Sequence, residues 1–153
     1  MQLAVDDDGV LVEILLPNRT PPKPPPAQPS TAASRGMRDA RRQLEEYFSG
    51  KRRIFNVPFR PSGSPFERQV WTRLVAVPYG VTTSYGAIAA ELGLVNGARA
   101  VGRANGANPI PIVIPCHRVI GSDGRLTGYG GGLPLKRALL EFEGAIRVEP
   151  SLF

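Results

Sequence analysis

Seven prolines, at positions 17, 21, 22, 24, 25, 26 and 29, crowd one short stretch of this 153-residue chain. Each fixes φ at about −65° and brings no backbone N–H, so Pro17 to Ser34 cannot lie in a helix interior or a central strand. We read the stretch as an extended or mobile loop. Ahead of it, two apolar runs flank Asp7-Asp8-Gly9, and Leu3 to Leu16 is expected to form a hairpin. Behind it, Met37, Ala40, Leu44 and Tyr47 with Phe48 share one stripe, which predicts a helix over Arg35 to Phe48 stopped by Gly50. Ile54 to Phe59 alternates like a short strand. Residues 1–62 therefore read as a small N-terminal domain with a thin core.

Ser62-Gly63-Ser64-Pro65 reads as a joint, and 63–153 as a second, mainly helical domain. Ser64 is a good N-cap, with Pro65 at the first helical position and Glu67 in the first turn. Phe66, Val70, Trp71, Leu74 and Val77 give that helix a core face, ended by Pro78-Tyr79-Gly80. Ser84 can cap a helix over Tyr85 to Leu92, with Gly93 as its stop, and Asn96 can cap another over Gly97 to Asn105. Two short helices joined by a turn of about four residues read as a helix-turn-helix. Asn108-Pro109 breaks the pattern, and Ile110 to Ile114 is an apolar, β-branched run with Pro111 inside it. Gly121 to Gly132 holds six glycines and must be loop. Leu133 to Phe142 is a last helix, ending at Gly144. The fold class is α+β.

Hydrophobic residues make up 42% of the chain and charged residues 21%. That is close to the globular average and excludes wholesale disorder. No apolar run approaches the ~20 residues that span a bilayer, so no membrane partner is expected. A single Cys permits no internal disulfide. With a single His beside it, no zinc cage of Cys and His can form, so no metal is expected. No secretory signal is visible, and a reducing, intracellular home is expected, either a prokaryotic cytoplasm or a nucleus. The balance of 19 Lys+Arg against 13 Asp+Glu gives +6. Its distribution says more: Leu92 to Ser122 contains no acid, yet holds Arg99, Arg103 and Arg118. An anionic ligand can approach there without repulsion.

Cys116 and His117 are the only Cys and the only His, and they are adjacent. Two readings stand. In one, Cys116 is a nucleophile, and His117, directly or through a water, takes its proton. In the other, Cys116 is an inert, buried, small apolar residue. Pro109 to Pro115 makes an apolar approach that ends abruptly in polar Cys-His-Arg, and Gly128-Tyr129-Gly130-Gly131-Gly132 can cover it. That arrangement suits a small-molecule pocket. The candidate recognition helix, Ala98 to Asn105, read either as a DNA-reading element or as one arm of an ordinary packed hairpin with solvated arginines, lies only a short way upstream of the thiol. A transcription factor has no need of the thiol, and a cysteine protease has no need of the helix.

Those residues carry a resemblance. The run Arg99-Ala-Val-Gly-Arg-Ala-Asn-Gly-Ala-Asn108, followed by Pro-Ile-Pro-Ile-Val-Ile-Pro-Cys116-His117-Arg118-Val119-Ile120, is its centre. With Gly128-Tyr129, Lys136 and Leu139-Leu140-Glu141-Phe142-Glu143-Gly144, it is similar to the O6-alkylguanine-DNA alkyltransferases. The likeness runs from about Pro65 to Gly144. It implies a small, ribonuclease-H-like N-terminal α/β domain, shortened here at its start, before a domain with a winged-helix-like helix-turn-helix. It also implies direct-reversal repair without a cofactor. The alkyl group of O6-alkylguanine, or less well O4-alkylthymine, moves from duplex DNA to Cys116 in one irreversible step that consumes the protein.

The roles follow from the resemblance. Cys116 is the acceptor, His117 takes the thiol proton through a water, and Glu143 orients that histidine. Asn108 ties the turns leading into an active-site strand, and Tyr85 crowds the target phosphate and donates to the guanine ring. Val119, Tyr129 and Gly130, with Gly131 and Asn105, hold the flipped base. Arg99 enters the stack where the base has left, and Ala98, Arg103, Ser84 and Tyr85 join it on DNA. The partner is double-stranded DNA with O6-alkylguanine, bound by a monomer that can act cooperatively. Two departures are visible. Gly130 stands where some relatives carry a hydroxyl toward the guanine O6, and zinc ligands found in some N-terminal domains are missing. Two other functions share these residues: a helix-turn-helix sensor that recognises alkylated DNA without repairing it, and a domain with an inert Cys.

Charge alone yields a prediction. With on the order of 3–5 phosphates neutralised, log K for DNA should fall with log salt at a slope of about −3 to −4. Binding titrations across a salt series measure it, and a flat profile removes the electrostatic basis for DNA contact.

Overall fold

The hairpin forms where the two apolar runs place it. Strands β1 (Gln2–Val5) and β2 (Leu11–Leu15) pair antiparallel, with Gln2 opposite Leu15. The Asp6 carboxylate closes the turn by accepting from the Asp8 and Val10 N–H groups. The structure is a computed structural model and describes residues 1–18 and 28–148. The proline-rich loop over 19–27 lies outside the described residues.

Helix α1 (Thr31–Phe48) begins four residues before the expected Arg35. Its cap is Ser30, just past the last proline of the run. The Ser30 Oγ accepts from the Ala33 N–H at 2.9 Å and donates to the Asp7 carbonyl at 2.7 Å, so one hydroxyl starts the helix and fastens it to the hairpin turn. The contact is close because both faces are bare. A Cβ at Gly36 would lie 2.0 Å from the Gly9 carbonyl oxygen, and one at Gly9 would lie 2.3 Å from that of Ala32.

Ile54 to Phe59 is extended but is no strand. It makes one bridge, Phe59 to Leu11, through the Leu11 N–H to the Pro58 carbonyl and the Arg60 N–H to the Leu11 carbonyl. Pro58 has no N–H to give a ladder. The Asn56 N–H is taken by the buried Gln43 side chain of α1 at 3.0 Å, so the segment hangs on side chains instead.

Helix α2 (Pro65–Val75) starts with a complete capping box between Ser64 and Glu67. Two residues of β3 (Thr83–Ser84) lead into α3 (Tyr85–Glu91), which Ser84 caps through the Ala87 N–H. Helix α4 (Ala98–Gly106) follows after a connection longer than the expected four residues. Asn96 does not cap it. The cap is Gly97, without a side-chain bond, and Asn96 itself takes φ 54°. Asn tolerates that left-handed conformation, so it turns the chain instead of starting the helix. A two-residue β4 (Val119–Ile120) pairs parallel with β3, and α5 (Leu133–Phe142) closes the described chain where expected.

The buried core runs on across the joint at 62–65. Leu11, Ile14, Leu44 and Tyr47 belong to the same buried cluster as Trp71, Ile88, Val101 and Ile114. Trp71 also donates its indole N–H to the Ala104 carbonyl at 2.8 Å, fixing α2 to α4. Gly36 tests how tightly the first elements are held. Gly36→Ala gains about 1 kcal/mol in helix propensity. Against backbone that cannot move aside, overpacking costs about 1–3 kcal/mol or more and wins. The melting temperature should fall by several degrees, and a rise would show that the hairpin yields.

Candidate active site

Pro109, Pro111 and Pro115 remove three donors from seven residues, so the run before Cys116 cannot pair as a strand. It folds as successive tight turns. The Ile114 N–H reaches the Ile110 carbonyl, the Val113 N–H that of Pro111, and the Cys116 N–H that of Ile114, all at 2.8–2.9 Å. Ile112 pays for this with φ 74°, a left-handed conformation that costs a β-branched residue on the order of 1–3 kcal/mol. Asn108 braces the turns from inside: its Nδ2 donates to the Ile114 carbonyl at 2.8 Å and its Oδ1 accepts from the Ile110 N–H at 2.9 Å. The active-site strand implied by the resemblance is thus a turn, and Cys116 opens a 3₁₀ turn (Cys116–Arg118).

Cys116 is 5% exposed and lines a cavity of about 760 Å³. One wall is α4, with Ala98, Arg99, Gly102 and Asn105. Another is Thr127 to Gly130, and Tyr85 and Asn108 also reach the space. A further wall was not foreseen: β2 contributes Glu13 to Leu15, and Leu16 follows them. The Ile14 N–H donates to the Pro109 carbonyl at 2.9 Å, which seats the hairpin against the proline turns.

Behind the thiol lies a buried charge network. Glu143, at the end of α5, accepts from His117 Nε2 at 2.8 Å, from Arg118 Nε and Nη2 at 2.9 Å each, and from the Tyr47 hydroxyl at 2.7 Å. Burial alone would raise its pKa, but the hydrogen bonds from His117 and Arg118 outweigh that and hold it at about 2. An ionised carboxylate only accepts, so His117 Nε2 carries a proton and Nδ1 is the open acceptor. Burial lowers the His117 pKa, with the hydrogen bond to Glu143 opposing it. The imidazole is therefore held neutral, as a base must be.

Among the described residues, three buried side-chain polar atoms have no hydrogen-bond partner: Asn105 Oδ1, His117 Nδ1 and Tyr129 Oη. Asn105 and Tyr129 line the cavity, and His117 follows Cys116. Asn105 Nδ2 meanwhile donates to the Cys116 carbonyl at 3.3 Å. Lys136 is fully buried in α5 and donates to the Thr127 carbonyl at 2.9 Å, fixing the glycine loop. Burial lowers its pKa to about 8.

The expected residues divide. Cys116, Asn108, Tyr85, Tyr129, Gly130, Asn105, Arg99 and Ala98 meet at the cavity, with His117 and Glu143 behind it. Val119, Gly131, Arg103 and Ser84 do not line it. Val119 is buried, Gly131 packs against Leu16 and Leu135, Arg103 is exposed on α4, and Ser84 caps α3. Sequence reasoning missed Tyr47, the carboxylate contacts of Arg118, the loop contact that Lys136 makes and the β2 wall. Tyr47 sat on a stripe read as core. Only the dense Cys-His-Arg triplet signalled Arg118.

Fold and site together define a thiol-centred transfer site beside a helix pair. Residues 65–145 match the family model described as 6-O-methylguanine DNA methyltransferase, DNA binding domain. A methylated-DNA–protein-cysteine methyltransferase of Methanosarcina acetivorans is 51% identical over 109 residues, 71% of this chain and 70% of that protein. One of Mycobacterium tuberculosis is 55% identical over 101 residues, 66% and 61% of the two chains. The crystal structure of Mycobacterium tuberculosis OGT in complex with DNA has a TM-score of 0.82 at 44% identity, covering 94% of this chain and 85% of that one. The chain belongs to the methylated-DNA–protein-cysteine methyltransferase family.

The network makes stability depend on pH. Glu143 is depressed when folded, so its contribution is complete above the unfolded value of about 4.3 and is lost as pH falls through about 2. His117 is lowered too, so the unfolded chain gains a proton first as pH falls below about 6.5. Both make the fold weaker in acid. In urea melts from pH 7 to 3 the wild-type decline should steepen below about pH 4.3, whereas Glu143→Gln should keep only the shallower slope that His117 causes. An equally steep acid decline in that variant would place the charge elsewhere.

Proposed function

We propose that this chain repairs O6-alkylguanine in duplex DNA by moving the alkyl group to Cys116 in one self-inactivating step, with slower action on O4-alkylthymine. The observation that carries the reading is the Cys116 thiol on the wall of a cavity that also presents two partnerless buried atoms, Asn105 Oδ1 and Tyr129 Oη, with a third, His117 Nδ1, on the residue next to the thiol. Buried polar groups are almost always satisfied, so the two on the cavity wall, Asn105 Oδ1 and Tyr129 Oη, point to a polar ligand, and His117 Nδ1 is left to act as the base. A flipped purine supplies donors and acceptors around a flat ring, in a space of fitting size.

His117 Nδ1, through a water, draws the proton from Cys116. The thiolate attacks the O6-bound carbon, an S–C bond forms as the C–O bond breaks, and the departing guanine regains its ring N–H. The thiol proton thus ends on the base, and no other reagent is needed. The thioether is stable, so each chain acts once. Val119 and Gly131 support the base-holding loop from behind, while Tyr129, Gly130 and Asn105 touch the base. Helices α3 and α4 act as a winged-helix-like helix-turn-helix with α4 toward DNA. Arg99, at the cavity mouth, fills the vacated stack, and Ala98, Arg103, Ser84 and Tyr85 meet the backbone. In this reading 63–153 is the catalytic domain, and 1–62 is a ribonuclease-H-like unit that braces it.

Intact-mass measurement after incubation with O6-methylguanine duplex tests the reading. Wild type should gain one methylene on Cys116, and Cys116→Ser should gain nothing while still binding DNA. No gain in wild type would select the sensor that binds without repairing. Arg99→Ala should lose more rate on duplex than on free O6-alkylguanine base, because only the duplex carries the unstacking cost of a few kcal/mol. Equal loss on both would remove Arg99 from the stack.

A further inference from the structure

We propose that Tyr47, carried by α1, is a positioning residue for the transfer: its hydroxyl shares the Glu143 oxygen that holds His117 and sets how strongly that oxygen pulls on the imidazole. The inference rests on the alkyl-transfer reading above.

The geometry is specific. Glu143 Oε1 accepts three donors, from Tyr47 at 2.7 Å, His117 at 2.8 Å and Arg118 Nη2 at 2.9 Å, while Oε2 takes Arg118 Nε at 2.9 Å. A carboxylate offers about four lone-pair sites in all, so Oε1 is crowded and every donor on it draws charge from the others. Tyr47 is a permanent donor. Burial, and then the Glu143 charge, push its hydroxyl far above the phenolic range. Its ring is clamped between Phe55, Phe142 and Tyr79, with centroids 5.4, 5.6 and 6.1 Å away, so the hydroxyl cannot swing aside.

Other groups face this network from each packed element. Arg118 comes from the 3₁₀ turn, Lys136 from α5, Tyr79 from beyond α2, and Cys116 and Tyr129 from the cavity. All of them stay in place when only the Tyr47 hydroxyl is removed. Without it, Oε1 accepts more strongly from His117 Nε2–H, which favours the protonated imidazole. His117 then fails as a base at a higher pH.

Tyr47→Phe keeps the ring and deletes the donor. Single-turnover pH–rate profiles with an O6-alkylguanine duplex should show the acid limb moved up by about 0.5 pH, an approximately threefold rate loss below it. Leu44→Ala, a buried change on the same helix, should weaken the fold without moving the limb. An unmoved limb in Tyr47→Phe, or an equal shift in Leu44→Ala, overturns the proposal. Glu143→Gln separates this from failure of the underlying reading: if it transfers at the wild-type rate, the relay itself is wrong. Should Tyr47→Phe fail to fold, proton NMR of the wild-type chain decides. A slowly exchanging, downfield Tyr47 hydroxyl proton that shifts in Glu143→Gln supports the role, and its absence overturns it.

Discussion

Glu143 puts a full negative charge where water does not reach, and its four hydrogen bonds tie together three different parts of the chain. Tyr47 comes from α1, His117 and Arg118 from the 3₁₀ turn, and Glu143 itself from the end of α5. Arg118 extends the web by donating to the Val77 carbonyl beyond α2 at 2.6 Å. A buried ion pair is expensive to break, because removing either partner strands the other; the cost is about 3–5 kcal/mol. The three parts are therefore held to one another by the same charge that orients the imidazole. Stability and chemistry are not separable here, since the bond that seats α1 ends on the atom that holds His117.

The proline turns are the second rigid part. Three prolines and a left-handed Ile112 leave the segment between α4 and Cys116 few alternatives, and Asn108 occupies the remaining backbone groups. A thiol carried on such a segment has little conformational freedom left to lose when a ligand arrives. Preorganisation of that sort lowers the cost of reaching a reactive geometry.

Legibility in the sequence followed range. Local signals were read directly: Ser64 with Glu67, Ser84 before its helix, and the hairpin around Asp7-Asp8-Gly9 all stand as local chemistry dictates. The start of α1 was hidden because the proline run discouraged any helix near it, although Ser30 alone suffices to begin one. Asn96 was misplaced because an N-cap and a left-handed turn residue use the same side chain. The cavity residues came through the resemblance, where Asn108, Cys116, His117 and Glu143 sit in a recognisable order. Tyr47 and Glu143 are 96 positions apart, and no periodicity joins them. A polar tip on an apolar stripe looks the same whether it meets solvent or a buried carboxylate. The same holds for β2, whose alternation marks a buried face without saying that the face borders a cavity.

Trp71 is the chain's sole indole, and it is buried against α4 with its N–H on the Ala104 carbonyl. Ultraviolet emission from this protein is thus dominated by one seam, the contact between α2 and the helix that carries Arg99. An indole whose N–H is hydrogen-bonded in a dry site emits at shorter wavelengths than one reached by water. The molecule therefore carries its own optical gauge of whether that helix is seated, readable without any label and without a reaction taking place.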